Sequence, residues 1–231
     1  NGNLYLGGDF DLINGVSTGG FCKYDGTNTS SISFISASAF EKYNNVLAVA
    51  YRNGAGSSVG YWNDTVFQPS AFSNLPISYL KDLKSHNGDL YVTGNFSVNN
   101  QYYLLAKYNG TTWTYYGEVS LWRSGGLSLA IHNNMLHIGG FFDTIDGSHF
   151  GSSIVAFNGT TFLPVTGVYA VATSIVSNGS ALIQGLEQQT VINPPFAQTV
   201  GSASSFLPYS GFANAEVGRV FQRDGNEYYA A

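Results

Sequence analysis

The chain has 231 residues, enough to bury a large core without disulfides or a structural metal, and its one cysteine, Cys22, cannot close an internal bridge. Charged residues make up only 10% of it, against the roughly 25% usual in soluble proteins, so Ser, Thr, Asn and Gly must supply a neutral, hydroxyl-rich surface. The net charge is −5 and the nine Lys and Arg are scattered singly, which excludes nucleic acid as a partner because no cationic stripe can neutralise successive phosphates.

No apolar run reaches the length of about 18 residues that a spanning helix requires, so no membrane contact is expected within this segment. Along the chain a turn followed by an apolar run recurs: Asn1-Gly-Asn-Leu-Tyr-Leu-Gly-Gly8, Asn44-Asn-Val-Leu-Ala-Val49, Asn87-Gly-Asp-Leu-Tyr-Val-Thr-Gly94, Asn133-Asn-Met-Leu-His-Ile-Gly-Gly140 and Asn178-Gly-Ser-Ala-Leu-Ile-Gln-Gly185. Taking Leu4, Leu47, Leu90, Leu136 and Ala181 as equivalent gives steps of 43, 43, 46 and 45 residues, and Glu227 begins another unit 46 further on. A period of this size with strand-like content is that of β-propeller blades, each unable to bury both faces without its neighbours. The expected fold is therefore all-β: a β-propeller of four-stranded antiparallel blades, about five in residues 1–231, read as a single propeller segment. The chain opens on a second strand at Asn1, without Met, and stops five residues into another. It is thus expected to be part of a larger ring or a longer polypeptide, in which a leader or anchor lies outside the sequence.

One unit serves to place the strands. Leu127–Ile131 is the first, Asn133-Asn134 the turn, and Met135–Gly139 the second. A long polar loop follows, then a third strand over Ser153–Phe157. Asn158-Gly159 is expected to be a type I′ turn, in which both central residues take positive φ, and Thr161-Phe162 opens the fourth strand. The third strand ends on an aromatic residue in four units, at Tyr24, Trp62, Tyr108 and Phe157, where a ring can cover the gap between neighbouring sheets. Two residues earlier stand Cys22, Gly60, Ala106 and Val155, all small, so Cys22 is read as a compact core residue and not as a reactive thiol. Thr29, Phe67, Trp113 and Phe162 follow each turn at core spacing. The fifth unit fits poorly: Leu186–Ile192 reads as a strand, Pro194-Pro195 interrupts it, and no aromatic with an Asn-Gly turn follows on schedule. First and second strands of a sixth unit are expected near Glu216–Gln222 and Glu227–Ala231.

Six Asn-x-Ser/Thr sequons occur, at Asn28, Asn63, Asn95, Asn109, Asn158 and Asn178. Asn63, Asn109 and Asn158 open the same hairpin in three units, where an exposed turn accepts a bulky glycan. Asn-Gly-Thr is also good turn chemistry by itself. Asp9, Asp11 and Asn14-Gly15 correspond to Asp143, Asp146 and Gly147 and offer the oxygen ligands of a Ca²⁺ loop. The same pattern is an ordinary turn, and Ser97-Val-Asn-Asn100 in the matching place has no carboxylate, so the turn reading is preferred and no metal or cofactor is expected. His86 and His132 precede first turns where other units carry Tyr43, Ser177 and Arg223, which suits a tolerant surface position. His137 replaces Tyr5 and Tyr91 in a strand, and His149 is in a loop. Candidate groups for catalysis at a ring centre are Arg52, Arg123, Arg219 and Arg223 with Glu118, Glu187 and Glu216, but none shares an equivalent position or motif. Lys107-Tyr-Asn-Gly-Thr-Thr-Trp113 has only a superficial likeness to the Asp-box hairpin of sialidases, which is structural in any case.

The runs Leu-Tyr-Leu-Gly-Gly-Asp-Phe10, Leu-Tyr-Val-Thr-Gly-Asn-Phe96 and Leu-His-Ile-Gly-Gly-Phe-Phe142, each followed by an aromatic-Asn/Asp-Gly turn, resemble the kelch-like propeller repeats of fungal cell-surface polarity markers. Those proteins act in bud-site selection and cortical landmarking. The resemblance covers residues 1–165 well and the rest loosely. It implies a large, anchored, heavily glycosylated ectodomain without enzymatic function, with Asn95 at a frequently glycosylated place. The expected function is a noncatalytic extracellular or cell-surface scaffold that binds other surface proteins or glycans, within a filament or wall layer, with self-assembly open to it. The alternatives are a carbohydrate-active propeller enzyme with a site at the channel mouth, and an intracellular kelch-type interaction ring whose sequons go unused.

Overall fold

Alternating apolar and polar residues between Asn- and Gly-rich turns favour paired strands over helices, and the computed structural model bears this out: 25 strands and no helix among the described residues. The structure describes residues 2–52, 54, 56–69, 71–72, 75, 78–120, 125–150, 154–165, 171–186, 196–200, 203–206, 220–223 and 227–230, with backbone alone for residue 78 and from 196 onward. Two units are distinguished, Asn1–Val92 with Lys107–Thr114, and Thr93–Ala106 with Tyr115–Ala231.

In the first unit, β1 (Leu4–Gly7), β2 (Leu12–Ile13), β3 (Val16–Ser17), β4 (Gly20–Tyr24) and β5 (Thr29–Phe34) give a three-stranded sheet in the order β1-β4-β5, with β2 and β3 as a separate ribbon. Next come β6 (Ser36–Tyr43), β7 (Val46–Arg52), β8 (Ser57–Trp62) and β9 (Phe67–Gln68), a four-stranded sheet in chain order. The two sheets share a core. Phe21, Ala37, Val49 and Tyr51 are buried, with Phe40, Trp62 and Phe67 packed around them, and the Phe21 ring lies 5.3 Å from that of Phe40 and 5.7 Å from that of Phe67. Such tilted and edge-on aromatic pairs add about 0.5–1.5 kcal/mol each beyond the area they bury. Gly60 is where this packing leaves no room: a Cβ there would stand 2.7 Å from the Gln68 carbonyl and 2.9 Å from the Phe67 ring.

The third sheet holds β10 (Ser78–His86), β11 (Asp89–Val98), β12 (Gln101–Tyr108) and β13 (Trp113–Val119) in chain order, and the division between units runs through it. Strand β10 is tied to β6 by Glu41, whose carboxylate accepts the Ser85 amide at 3.0 Å and the Ser85 hydroxyl at 2.7 Å.

In the second unit, β14 (Gly125–His132), β15 (Met135–Phe141), β16 (Thr144–Ile145), β17 (Ser148–His149), β18 (Ile154–Phe157) and β19 (Phe162–Pro164) follow. They form a sheet ordered β14-β15-β18-β19, with β16 and β17 as a ribbon of their own. Then β20 (Ala172–Ser177), β21 (Leu182–Leu186), β22 (Phe196–Val200) and β23 (Ala203–Phe206) make a four-stranded sheet, and β24 (Val220–Arg223) pairs with β25 (Glu227–Ala230). A core of Ala130, Ile154, Ala156, Ala172, Ile175, Leu182 and Leu186 joins the two larger sheets of this unit.

Four expectations need correction. Leu182, fully buried and opposite Ser177 as Leu136 is opposite Ile131, is the fifth equivalent position, and Ala181 instead closes the preceding turn. The fifth unit does complete its sheet: Thr199, opposite Leu182, takes the place that Phe157 holds opposite Leu136, so the aromatic cue for the third strand is missing there. The long polar loop after β15 contains the β16–β17 ribbon. The first–second turns at Asn44-Asn45, Asn87-Gly88 and Asn133-Asn134, and the second–third turn at Asn99-Asn100, have positive φ at both residues as a type I′ turn requires, whereas the Asn158-Gly159 hairpin does not. Residues 187–195 lie outside the described residues, and with them Glu187, Pro194-Pro195 and most of the strand expected over Leu186–Ile192.

Candidate functional site

The third–fourth hairpins are built by one side chain each. Asn158 keeps negative φ while Gly159 turns to +103°, and the Asn158 Oδ1 accepts the amides of Thr160 at 3.0 Å and Thr161 at 2.9 Å and the Thr160 hydroxyl at 3.0 Å. Asn109 does the same with Thr111 at 3.0 Å and Thr112 at 2.9 Å, and Asn63 with Thr65 at 3.1 Å and Val66 at 2.8 Å. Asp25 closes the first hairpin with Thr27 at 2.9 Å and Asn28 at 2.7 Å, and the amides of Asn28 and Thr27 hold its carboxyl below the usual carboxylate range. The side-chain oxygen does what a backbone carbonyl does in a two-residue turn. This four-residue form replaces the expected type I′ turn: Thr27, Thr65, Thr111 and Thr160 each follow the positive-φ residue and give their amides to the side chain instead of entering the strand.

The aromatic series behaves as sheet cover. Phe157 is buried, with ring centres 4.9 Å from Phe162 and 4.9 Å from Tyr116 of β13. Tyr108 lies 5.1 Å from Trp113 and 5.2 Å from Phe72, and its hydroxyl donates to the Gly110 carbonyl at 2.9 Å, tying the loop to its own stem. Tyr24 makes the same bond to Gly26 at 2.7 Å. Cys22 is fully buried and burial pushes its thiol up, away from the thiolate needed for reactivity.

The six sequon asparagines divide by environment. Asn28, Asn63, Asn109 and Asn158 are exposed, each within a third–fourth loop, whereas Asn95 in β11 and Asn178 before β21 are half-buried. Asn178 caps its loop as the others do, through the amides of Ser180 at 2.9 Å and Ala181 at 2.7 Å, but between first and second strands.

The carboxylate loops are turns. The β2–β3 and β16–β17 ribbons are equivalent, with Asp11 matching Asp143 and Asn14 matching Asp146, which amends the pairing expected from sequence. Asn14-Gly15 and Asp146-Gly147 are the positive-φ pairs at their tips. The Asp146 carboxylate accepts the Glu118 amide at 2.7 Å, and the Asp146 amide donates to the Glu118 carbonyl at 2.8 Å. Asp9 accepts a hydrogen bond from the Ser36 hydroxyl. Among the described residues no three His, Cys, Asp or Glu side chains are grouped to hold a metal.

His132 departs from the surface position expected for it. It is buried beside His137, ring centres 5.8 Å apart, and its Nδ1 is 2.8 Å from the Ser177 hydroxyl. Burial lowers both imidazoles, His137 to about 4, so the pair is neutral at physiological pH. His86 is half-buried against Tyr91 and His149 is exposed. Arg52 and Glu118 are exposed on different strands, while Arg123, Glu187, Arg219 and Glu216 lie outside the described residues and Arg223 is described in backbone only. A cleft of about 510 Å³ in the first unit is lined by Trp62, Phe67 and Pro69 with the hydroxyls of Ser31, Ser33 and Thr65, and its lining holds no carboxylate, imidazole or cation.

The sequence matches no protein-family profile and no curated protein. Among solved structures, the fold is similar to the extracellular domain of the putative hybrid two component system BT4673 from B. thetaiotaomicron, with a TM-score of 0.63 and 11% identity over 99% of this chain. This chain spans 30% of the length of that one. A GH43 endo-arabinanase from Bacillus licheniformis matches with a TM-score of 0.43 and 13% identity, over 71% of this chain and 70% of its own. At such identities the first likeness is one of fold, an all-β chain of successive antiparallel sheets.

Proposed function

We propose that this chain is a stretch of a noncatalytic, extracellular or cell-surface β-propeller glycoprotein, with kelch-like repeats as its blades, that serves as a scaffold for binding and assembly of other surface components. The observation that carries the reading is the recurrence of a sequon at one structural place, the exposed and side-chain-capped loops opened by Asn63, Asn109 and Asn158. Three other features support it. Successive antiparallel sheets bury their apolar faces against each other within each unit, as blades do. Charge is sparse and hydroxyls abundant, which suits a sugar-coated surface. The buried histidines, the buried thiol and the carboxylate turns are all engaged in holding the fold.

Partners in this reading are other surface proteins or glycans, met through loops that rigid sheets hold in place. Intact-mass measurement of the protein from its native source, before and after treatment with a glycan-releasing amidase, tests it. A drop in mass on treatment is expected, and an unmodified chain would overturn the extracellular reading.

A further inference from the structure

Strands in an antiparallel sheet reverse direction at each step, so the first–second turn and the third–fourth loop of a four-stranded sheet lie at one end and the second–third connection at the other. Asn28, Asn63, Asn109 and Asn158 all stand in third–fourth loops. Asn95 is near the far end of β11, by the Asn99-Asn100 turn, and so at the opposite end of its sheet. The second–third connections with the β2–β3 and β16–β17 ribbons hold no exposed sequon among the described residues.

Resting on the extracellular reading above, we propose that N-linked sugar on this chain is confined to Asn28, Asn63, Asn109 and Asn158, one end of each sheet, and that Asn95 and Asn178 stay bare. In the transfer, Asn Nδ2 bonds to the anomeric carbon of a lipid-linked oligosaccharide pyrophosphate. The bond from that carbon to the pyrophosphate oxygen breaks, the lipid pyrophosphate leaves, and Nδ2 gives up one proton. The loop tolerates the product. At Asn63, Asn109 and Asn158 the capping Oδ1 is untouched, in the first hairpin Asp25 and not Asn28 carries the cap, and at Asn158 the substituted amide keeps one N–H, enough for the bond from Nδ2 to the Thr161 hydroxyl at 3.1 Å. At Asn63 and Asn109 Oδ1 likewise accepts the loop amides, and both residues are exposed.

The other two asparagines lack that freedom. Asn95 is half-buried within β11, next to the fully buried Phe96. Asn178 is half-buried between Ser177, which bonds to the buried His132, and the loop closed by buried Ala181. A glycan core on either therefore has less open space around it than on the four exposed residues. The consequence is a sheet with one sugar-covered end and one bare end.

Site-by-site glycopeptide mass spectrometry of the chain secreted from eukaryotic cells tests this. Sugar is expected at the four exposed sites and absent from Asn95 and Asn178. Thr111→Ala and Thr160→Ala remove two sequons without touching the asparagine that caps the loop, so each should lose the mass of one glycan and still fold. Sugar at Asn95 or Asn178 to the extent found at the hairpins would overturn the proposal while leaving the extracellular reading intact. Bare asparagines at all six sites in protein from the native source would overturn both.

Discussion

The sheet containing β1 and the sheet containing β15 have the same repeat sequence but differ in what covers them. Leu136 in β15 is fully buried, whereas the equivalent Leu4 in β1 is 55% exposed. Their ribbons differ likewise. Ile145 of β16 is buried beneath the strand that supplies Glu118, while its counterpart Ile13 of β2 is only half-buried. Binary pattern is shared and burial is not: β1 is an edge strand of a three-stranded sheet, whereas β15 lies between β14 and β18, so what a repeat strand buries is decided by the strands and sheets beside it.

Truncating the two leucines has the largest expected effect. Leu136→Ala should cost about 3 kcal/mol, the transfer and cavity terms together, and Leu4→Ala less than about 1 kcal/mol. Urea unfolding curves of the two variants compare them directly, and equal losses would show that β1 is as well covered as β15.

Titration should separate the two sheets next. His137 stands where β1 carries Tyr5, and its folded pKa of about 4 lies well below the usual histidine value. The unfolded chain therefore binds the extra proton first. Stability should be full above about pH 6.5, fall as pH drops from there to about 4, and lose no more from this group below that, for a total of about 3 kcal/mol. His137→Tyr should flatten this part of the pH profile, and an unchanged profile would refute the role given to the buried imidazole.

A smaller effect is expected at the ribbons. Asp146→Ala removes the acceptor of the Glu118 amide and places alanine at positive φ, for about 2 kcal/mol, whereas Asn14→Ala incurs only the conformational cost of about 1 kcal/mol. Hydrogen exchange at the Glu118 amide should speed up in the first variant.

Much of the fold was legible because turns and apolar runs are local. Asn133-Asn134 and Met135–Gly139 announce a turn and a strand, and the aromatic at Phe157 marks the end of another. The errors came where a distant partner decides. Nothing near His132 shows that Ser177 will meet it in the core, and the varied residues at the matching places, Tyr43, Ser177 and Arg223, point to the surface. Asn158-Gly159 looked like a two-residue turn because the pair is the same in both forms, and the Thr pair that follows is the signal that the side chain closes the loop. Asp25, which caps the first hairpin as the asparagines cap theirs, carries the same signal in Asp25-Gly-Thr27.

The central claim is that these repeats are blades. A density map of the glycosylated protein from its native source, at a resolution that separates strands, tests it most directly. Blades give four-stranded sheets radiating about a common axis, with sugar density at their third–fourth loops. Sheets stacked along a line would contradict it.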